Sequence, residues 1–316
     1  MTLAFALVLL MPGDPAATIA GNFADEETLA RIRGELGLDQ PIPVRYLNYL
    51  VGLFHGDLGL SFASRQPVGE ELLRYLPNTI QLVVAGILIA MVLGVALGTI
   101  GAYFRNRIPD RIARGTVTVI QSIPVFVLGL MLILIFFYIL RWLPPPVGFL
   151  GFGDIKPPSV TGFLLIDCVI AGQWGTLGSA LSHMVMPAVT LGITYSAFFA
   201  KISRATMGES MFSQGIEFAR ASGLKESTVV VYALRQSRTS ILTYGAILVG
   251  QLVGGATVVE LIFSWQGVGL WGLQGILNID VPVIQAFVMI AGMITLITYL
   301  ILDLVIVALD PRMADD

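Results

Sequence analysis

The sequence predicts an all-α polytopic membrane protein with six spanning helices, the first of them truncated at its N-terminus. Composition is the first reason. Of 316 residues, 56% are hydrophobic and 12% charged, against roughly 25% charged in soluble domains. The second is a set of five segments, 78–104, 115–140, 184–200, 239–259 and 281–302, that contain no Asp, Glu, Lys or Arg; a spanning helix needs ~20 apolar residues. The third is the charge between them: +3 over 105–114, +3 over 201–238 and −4 over 12–76. Basic loops stay on the cytoplasmic side. Six alternating spans then place both basic loops and both termini inside, with the acidic segment and the proline-rich 141–180 segment outside.

At the N-terminus, Met1 to Met11 precede Pro12, fewer than the ~17 residues at the lower limit for a span. No basic region leads the apolar run, which argues against a cleaved signal peptide. The expectation is a first span whose beginning lies upstream of Met1. Segment 12–76 is too long for a simple turn. It carries a helical stretch from Asp25 to Leu36, opened by Asp25-Glu26-Glu27 and stopped by Gly37, so a small folded external cap is expected. The stretch 144–158, PPPVGFLGFGDIKPP, is loop by composition. The span at 184–200 is short and should extend toward Leu181 or past Lys201. Pro124 and Pro187 are tolerated in spans because neighbouring helices satisfy the freed backbone. The organisation is thus a truncated first helix and cap over 1–76, a transmembrane domain over 77–310 and a cytoplasmic tail over 311–316.

Function is most legible between Lys201 and Arg238, KISRATMGESMFSQGIEFARASGLKESTVVVYALRQSR. Met211, Phe212, Ile216 and Ala219 recur at the spacing of one helical face. Gly223 offers a stop, and Val229, Val230, Ala233 and Leu234 line one side of a second helix. A helix–glycine–helix protruding from a membrane suits docking by another protein better than contact with anionic headgroups. The chain lacks a motor of its own. It has no G-x-x-x-x-G-K-[ST] and no Gly-Lys dipeptide, so no phosphate cradle for ATP. Its spans also lack the midplane carboxylates that secondary transporters commonly use, which disfavours a self-contained transporter or channel. A membrane-anchored enzyme would need a cluster of His, Asp, Glu or Ser near one interface, and none is evident. A transporter lacking both engines must borrow one.

Other features have blander readings. Gly267-Val-Gly269-Leu-Trp-Gly272 matches G-x-G-x-x-G, but a dinucleotide fingerprint needs a strand before it and a βαβ unit around it. Lying between two spans beside Trp265 and Trp271, it reads as a glycine-rich re-entrant turn or external gate, with indoles at a membrane boundary. Glu260 and Asp303 sit near span ends, where an interfacial role is expected, and Glu260 joins Gly267 and Gly269 in the candidate external gate or turn. Gly94-x-x-x-Gly98 and Gly250-x-x-x-Gly254 permit close helix approach, either within the chain or to a second membrane subunit. Gln81, Gln121, Thr190, Thr194, Gln251 and Gln285 fall inside spans and either line a pathway or tie helices together. The single cysteine, Cys168, excludes an internal disulfide and is expected to be a small apolar filler. His55 and His183 are read as ordinary polar contacts, and no metal site is expected.

Glu217-Phe-Ala219-Arg-Ala221-Ser-Gly223 resembles the E-A-A-x-x-x-G loop of ABC importer permeases, with Phe218 where Ala is usual. Further matches span the chain. Met11-Pro-Gly-Asp-Pro15 looks like the end of the first span in the dipeptide, oligopeptide and nickel permeases. Leu76-Pro-Asn-Thr79, Ile123-Pro-Val-Phe126 and Met186-Pro-Ala-Val-Thr-Leu191 resemble their next three. Val259-Glu260-Leu-Ile-Phe263 through Gly267-Val-Gly269 resembles their fifth-span exit, with Gln266 in place of the usual Pro, and Leu309-Asp-Pro-Arg312 their C-terminal signature. The resemblance implies a type I ABC importer permease fold in the cell (inner) membrane. It implies a second homologous permease, an external solute-binding protein and two cytoplasmic ATPases that carry the ATP and Mg. Neither a cofactor on this chain nor a nucleic-acid partner is implied. Glu217, Phe218, Ala219, Arg220, Ala221, Gly223 and Leu224 would sit in a groove on one ATPase, with Glu217 and Arg220 making polar contacts at the joint. The expected cargo is di- or oligopeptide, with nickel or another small solute as the alternative.

Overall fold

The computed structural model describes residues 25–35 and 37–309, together with Thr2, Phe5, Ala6, Ala16 and Ala17. The expected first span and the Met11–Pro15 match lie outside the described residues, and so does most of the Leu309–Arg312 match. Among the described residues the architecture is helical. Asp25 caps α1 (Glu26–Glu35), its Oδ1 accepting the Thr28 N–H at 2.9 Å. The chain then forms α2 (Ile42–Phe54), a second helix of the cap beyond the one expected from the sequence. Pro67 precedes α3 (Val68–Tyr103), whose first turn holds Glu70 and Glu71, favourable at the positive end of a helix. This span therefore starts ten residues before the predicted position 78.

The expected span at 115–140 is not one helix. It consists of α4 (Ile108–Ser122) and α5 (Val125–Leu132), the latter running into a π-helical segment, Ile133–Ile139, and the two halves meet at 97°. Ile123 is extended at ψ 118°, the conformation that a following proline favours, and Pro124 cannot donate into the ladder. Pro124 thus breaks this helix, whereas Pro187 stays inside α7.

After the loop at 141–163 come α6 (Leu164–Ile170), α7 (Trp174–Ser210), α8 (Gln214–Ala221), α9 (Glu226–Ile262), α10 (Val268–Leu277) and α11 (Val281–Leu309). The marginal 184–200 span is extended at both ends within α7. Three helices, α3, α7 and α11, are each long and apolar enough to cross a membrane, and α4–α5 and the bent α9 make up to five.

The core is built on α3 and α7, with α9 packed beside them; Leu82, Leu191, Tyr195, Phe199, Leu248 and Val259 form its buried centre. A Cβ at Gly94 would collide with the Phe199 Cβ, and one at Gly98 would come within 2.6 Å of the Ser203 Cβ. This glycine pair therefore serves packing inside the chain. Gly250 faces Thr295 of α11, while nothing lies within 4 Å of a Cβ at Gly254. On α11, Leu296, Leu300 and Leu304 are exposed, the apolar outer face expected of a helix in lipid.

The connections sort to two ends. At one end, Arg105 stacks over the Phe212 ring at 5.6 Å and Arg204 pairs with Asp110, so the two basic loops meet. At the other, Ser61 Oγ donates to Asp280 Oδ2 at 2.6 Å and the Gly148 N–H donates to the Phe263 carbonyl at 3.1 Å. The cap, the 141–163 loop and the α9–α10 connection gather there.

Candidate functional site

At the basic end the chain makes an elbow of α7, α8 and α9. Ile216 and Ala219 of α8 are buried with Met207, Met211, Val229, Ala233 and Ala102 of α3, so one face of this eight-residue helix is anchored in the body. Phe212 does not join that face as predicted: it is 71% exposed and lies under the Arg105 guanidinium. Polar ties fix the elbow. Ser213 Oγ donates to Gln236 Oε1 at 3.1 Å, and Ser210 and Ser237 share a hydrogen bond of 3.0 Å. Arg220 Nε donates to Glu226 Oε1 at 3.2 Å and its Nη1 to the Met211 carbonyl at 3.5 Å. Arg220 thus braces the joint between α8 and α9, while Glu217 is exposed.

The end of α8 is a Schellman turn. The Leu224 N–H reaches the Ala219 carbonyl at 3.2 Å and the Gly223 N–H the Arg220 carbonyl at 2.9 Å. Gly223 has φ +78°, and a Cβ there would meet nothing within 4 Å. Its requirement for glycine is therefore conformational and not steric. Beyond the anchored face, Phe218 is 74% exposed, with Leu224 also exposed. Of the predicted docking residues, Glu217, Phe218, Ala221 and Leu224 face outward. Ala219 does not; it is buried and holds α8 to the body.

The opposite end carries a constellation whose members are separate motifs in the sequence. Glu260, expected at an interface, is fully buried. Its Oε1 accepts the Thr79 hydroxyl at 2.6 Å and its Oε2 the Leu270 N–H at 2.7 Å, while Thr79 Oγ1 accepts the Val268 N–H at 2.8 Å. A carboxylate from α9 and a hydroxyl from α3 thus cap the N-terminus of α10, where free N–H groups and the helix dipole favour negative charge. Gly267 and Gly269 flank this carboxylate. A Cβ at Gly267 would collide with Glu260 and Thr79, and one at Gly269 with Thr257. The G-x-G pattern cradles an internal carboxylate and leads into the α10 helix rather than forming an open gate. Asn78 Nδ2 donates to the Gln266 carbonyl at 2.7 Å, and Trp265 Nε1 to the Asn78 carbonyl at 3.2 Å. Trp265 is 1% exposed, against Phe149 at a 3.6 Å centroid distance, and Trp271 is buried, donating to Glu71 Oε2 at 3.0 Å. These indoles are part of the buried core.

The polar span residues divide. Thr190, a predicted pathway residue, is fully buried and donates to the Met186 carbonyl at 2.8 Å, so it lines no surface of this chain. Thr194 donates to the Thr190 carbonyl at 2.9 Å. Gln81 ties α3 to α6, its Oε1 accepting the Leu165 N–H at 3.1 Å. Gln285 is buried. Gln121 and Gln251 are exposed, and Gln121 Oε1 accepts a bond from Lys201 Nζ. Cys168 is buried against Leu164 and Ala180. His183 Nδ1 bonds the Ser179 carbonyl at 2.8 Å.

Comparison with known proteins converges on one family. Residues 94–315 match the binding-protein-dependent transport system inner membrane component, and residues 1–83 match the N-terminal region of the same systems' membrane component. The chain is 36% identical over 309 residues to the probable D,D-dipeptide transport system permease DdpB of Escherichia coli K12, covering 98% of this chain and 91% of that one. Identity is also 36%, over 316 residues, to the dipeptide transport system permease DppB of the same organism, with 98% and 92% covered. It is 34% over 311 residues to the glutathione transport system permease GsiC of Salmonella typhi, again with 98% and 92% covered. A solved amino acid ABC transporter superposes on 74% of this chain and 92% of its own, at 15% identity and a TM-score of 0.47. The chain belongs to the inner-membrane permease components of binding-protein-dependent transport systems, and is a transport subunit and not an enzyme.

Proposed function

We propose that this permease carries di- or oligopeptides inward by alternating access and is driven through α8 by separate ATPase subunits. The observation that carries the reading is the two-faced α8. Ile216 and Ala219 bind it into the α7–α9 elbow, while Phe218 stands out at 74% exposure. A helix attached on one side and offering an aromatic on the other can transmit a push from a partner into both long helices. The relatives' names give the cargo class, and the 36% identity to a dipeptide permease over 98% of the chain favours peptides over nickel. In this reading the basic end is cytoplasmic, and both termini are inside. A second permease completes the pathway, two ATPases hold the ATP and Mg, and an external binding protein delivers the peptide to the end built around Glu260. Gln251, an exposed candidate, would face the pathway, whereas Gln121 is engaged by Lys201.

Purification of the tagged chain in mild detergent tests this. Two ATPases and one further permease are expected to accompany it, and peptide uptake into vesicles should require all of them together with the binding protein. Uphill peptide transport by the purified chain alone would overturn the reading.

A further inference from the structure

Between α3, α4 and α7, near the basic end, the structure holds an open cleft of about 330 Å³. Its walls are apolar below, with Leu97, Val117 and Ala200, and cationic above, with Arg114, Lys201 and Arg204. Leu97 lies six residues before the end of α3, or ~9 Å at 1.5 Å per residue. With the membrane boundary taken at the end of α3, the cleft straddles the depth at which headgroups give way to acyl chains.

One carboxylate faces these three cations, and it is already engaged. Asp110, fully buried, accepts Arg204 Nε at 2.7 Å and Nη2 at 2.9 Å, and its Oδ2 also accepts the Asn106 N–H at 3.0 Å. Arg114 Nε stands 3.6 Å from the same carboxylate, beyond hydrogen-bond reach. The Lys201 ammonium has the neutral amide of Gln121 as its partner. Among the described residues, three cations thus share one carboxylate, Arg204 bonding it and Arg114 pairing with it at longer range, and the cleft keeps a net charge of +2. Long basic side chains at such a boundary hold their heads toward water and headgroups, and basic pockets between spanning helices favour anionic head groups.

We propose that this cleft binds the phosphate of an acidic phospholipid, with Arg114 and Lys201 on the phosphate oxygens and the acyl chains along Leu97, Val117 and Ala200. The shared chemistry is phosphate, and the apolar lower wall selects the lipid over free phosphate. Arg204 positions α4 against α7 through Asp110 and leaves the phosphate to the other two. A lipid here would tether α4, the half-span before the Pro124 break, to the helix that leads into α8.

The test uses the assembled transporter, delipidated in detergent and titrated with phosphatidylglycerol or phosphatidylcholine, with retained lipid read by native mass spectrometry. Phosphatidylglycerol should be retained preferentially. A basic residue near an anionic lipid contributes about fivefold in affinity, so the Arg114→Gln, Lys201→Gln double variant should weaken retention ~25-fold. Arg114→Lys, Lys201→Arg should restore it. Unchanged retention in the double variant would overturn the proposal. So would an equal loss in Arg107→Gln, Arg111→Gln, which removes the same charge outside the cleft. If millimolar inorganic phosphate displaces the lipid from the wild type, the assignment to a phospholipid fails and the cleft is a free-anion site. If no lipid remains on the assembled complex while the isolated chain retains it, a partner subunit covers the cleft and the proposal falls.

Discussion

Glu260 organises the end of the molecule away from α8. Its two oxygens take hydrogen bonds from Thr79 and Leu270, and Thr79 in turn takes the Val268 N–H. Removing the carboxylate strands a buried hydroxyl and a part-buried N–H, and each unsatisfied buried group costs ~1–3 kcal/mol, less where water reaches it. Glu260→Ala should therefore lower stability by about 2–4 kcal/mol, measured by thermal melting in detergent. Glu260→Gln, which keeps an acceptor for one of the donors, should lose less. Gly223 fails differently. Because no atom crowds a Cβ there, the cost of a side chain is that of the left-handed conformation, ~1–2 kcal/mol for an L-residue. Gly223→Val should insert normally but lower peptide uptake per ATP hydrolysed, whereas Gly223→Asn, which tolerates this conformation, should stay near wild type. Equal coupling in the valine variant would remove α8 from the drive train.

Among the elements, α6 shows how a short helix is held at the loop end. Asp167 is buried, which by itself would raise its carboxyl. The Thr161 N–H and hydroxyl, both at 2.8 Å, and the Gly162 N–H at 3.2 Å outweigh that and hold its pKa below the ordinary 3.8. A carboxylate depressed on folding stabilises fully above 3.8 and loses that contribution as pH falls through its lower folded value. Melting temperature should accordingly drop on acidification below about pH 4, and part of that drop should vanish in Asp167→Asn, which should also be less stable at neutral pH. An unaltered acid profile in the variant would show that this carboxylate contributes nothing. The long helices were legible in the sequence because charge-free apolar runs depend on little else. The 97° break was hidden because Pro124 and Pro187 look alike in sequence. At Pro187 the packing of α7 against α3 holds the helix through, while Ile123-Pro124 lacks that brace. The buried positions of Trp265, Trp271 and Glu260 were illegible for a related reason. Their partners, Asn78, Glu71 and Thr79, lie roughly two hundred residues away, and only the fold brings Leu76-Pro-Asn-Thr79 and Gly267-Val-Gly269 into one knot.

The whole molecule is polarised, with the basic loops and α8 at one end and the cap, the 141–163 loop and α10 at the other. The proposed orientation, with the basic loops at 105–114 and 201–238 in the cytoplasm, is open to a direct test. The chain's single cysteine, Cys168, is fully buried, so a membrane-impermeant maleimide should leave the wild type almost unlabelled. Phe218 on α8 and Phe152 in the 141–163 loop are both highly exposed, and a cysteine at either costs little packing. In intact cells, Phe152→Cys should label and Phe218→Cys should not. After permeabilisation, Phe218→Cys should label as well, and rebinding of the ATPases should protect it while leaving Phe152→Cys reactive. Labelling of Phe218→Cys from outside intact cells would invert the topology and with it the proposed drive. Labelling only after permeabilisation but without protection would keep the orientation and displace the ATPase contact from α8. The two residues thus separate the direction of the chain from the identity of what grips it.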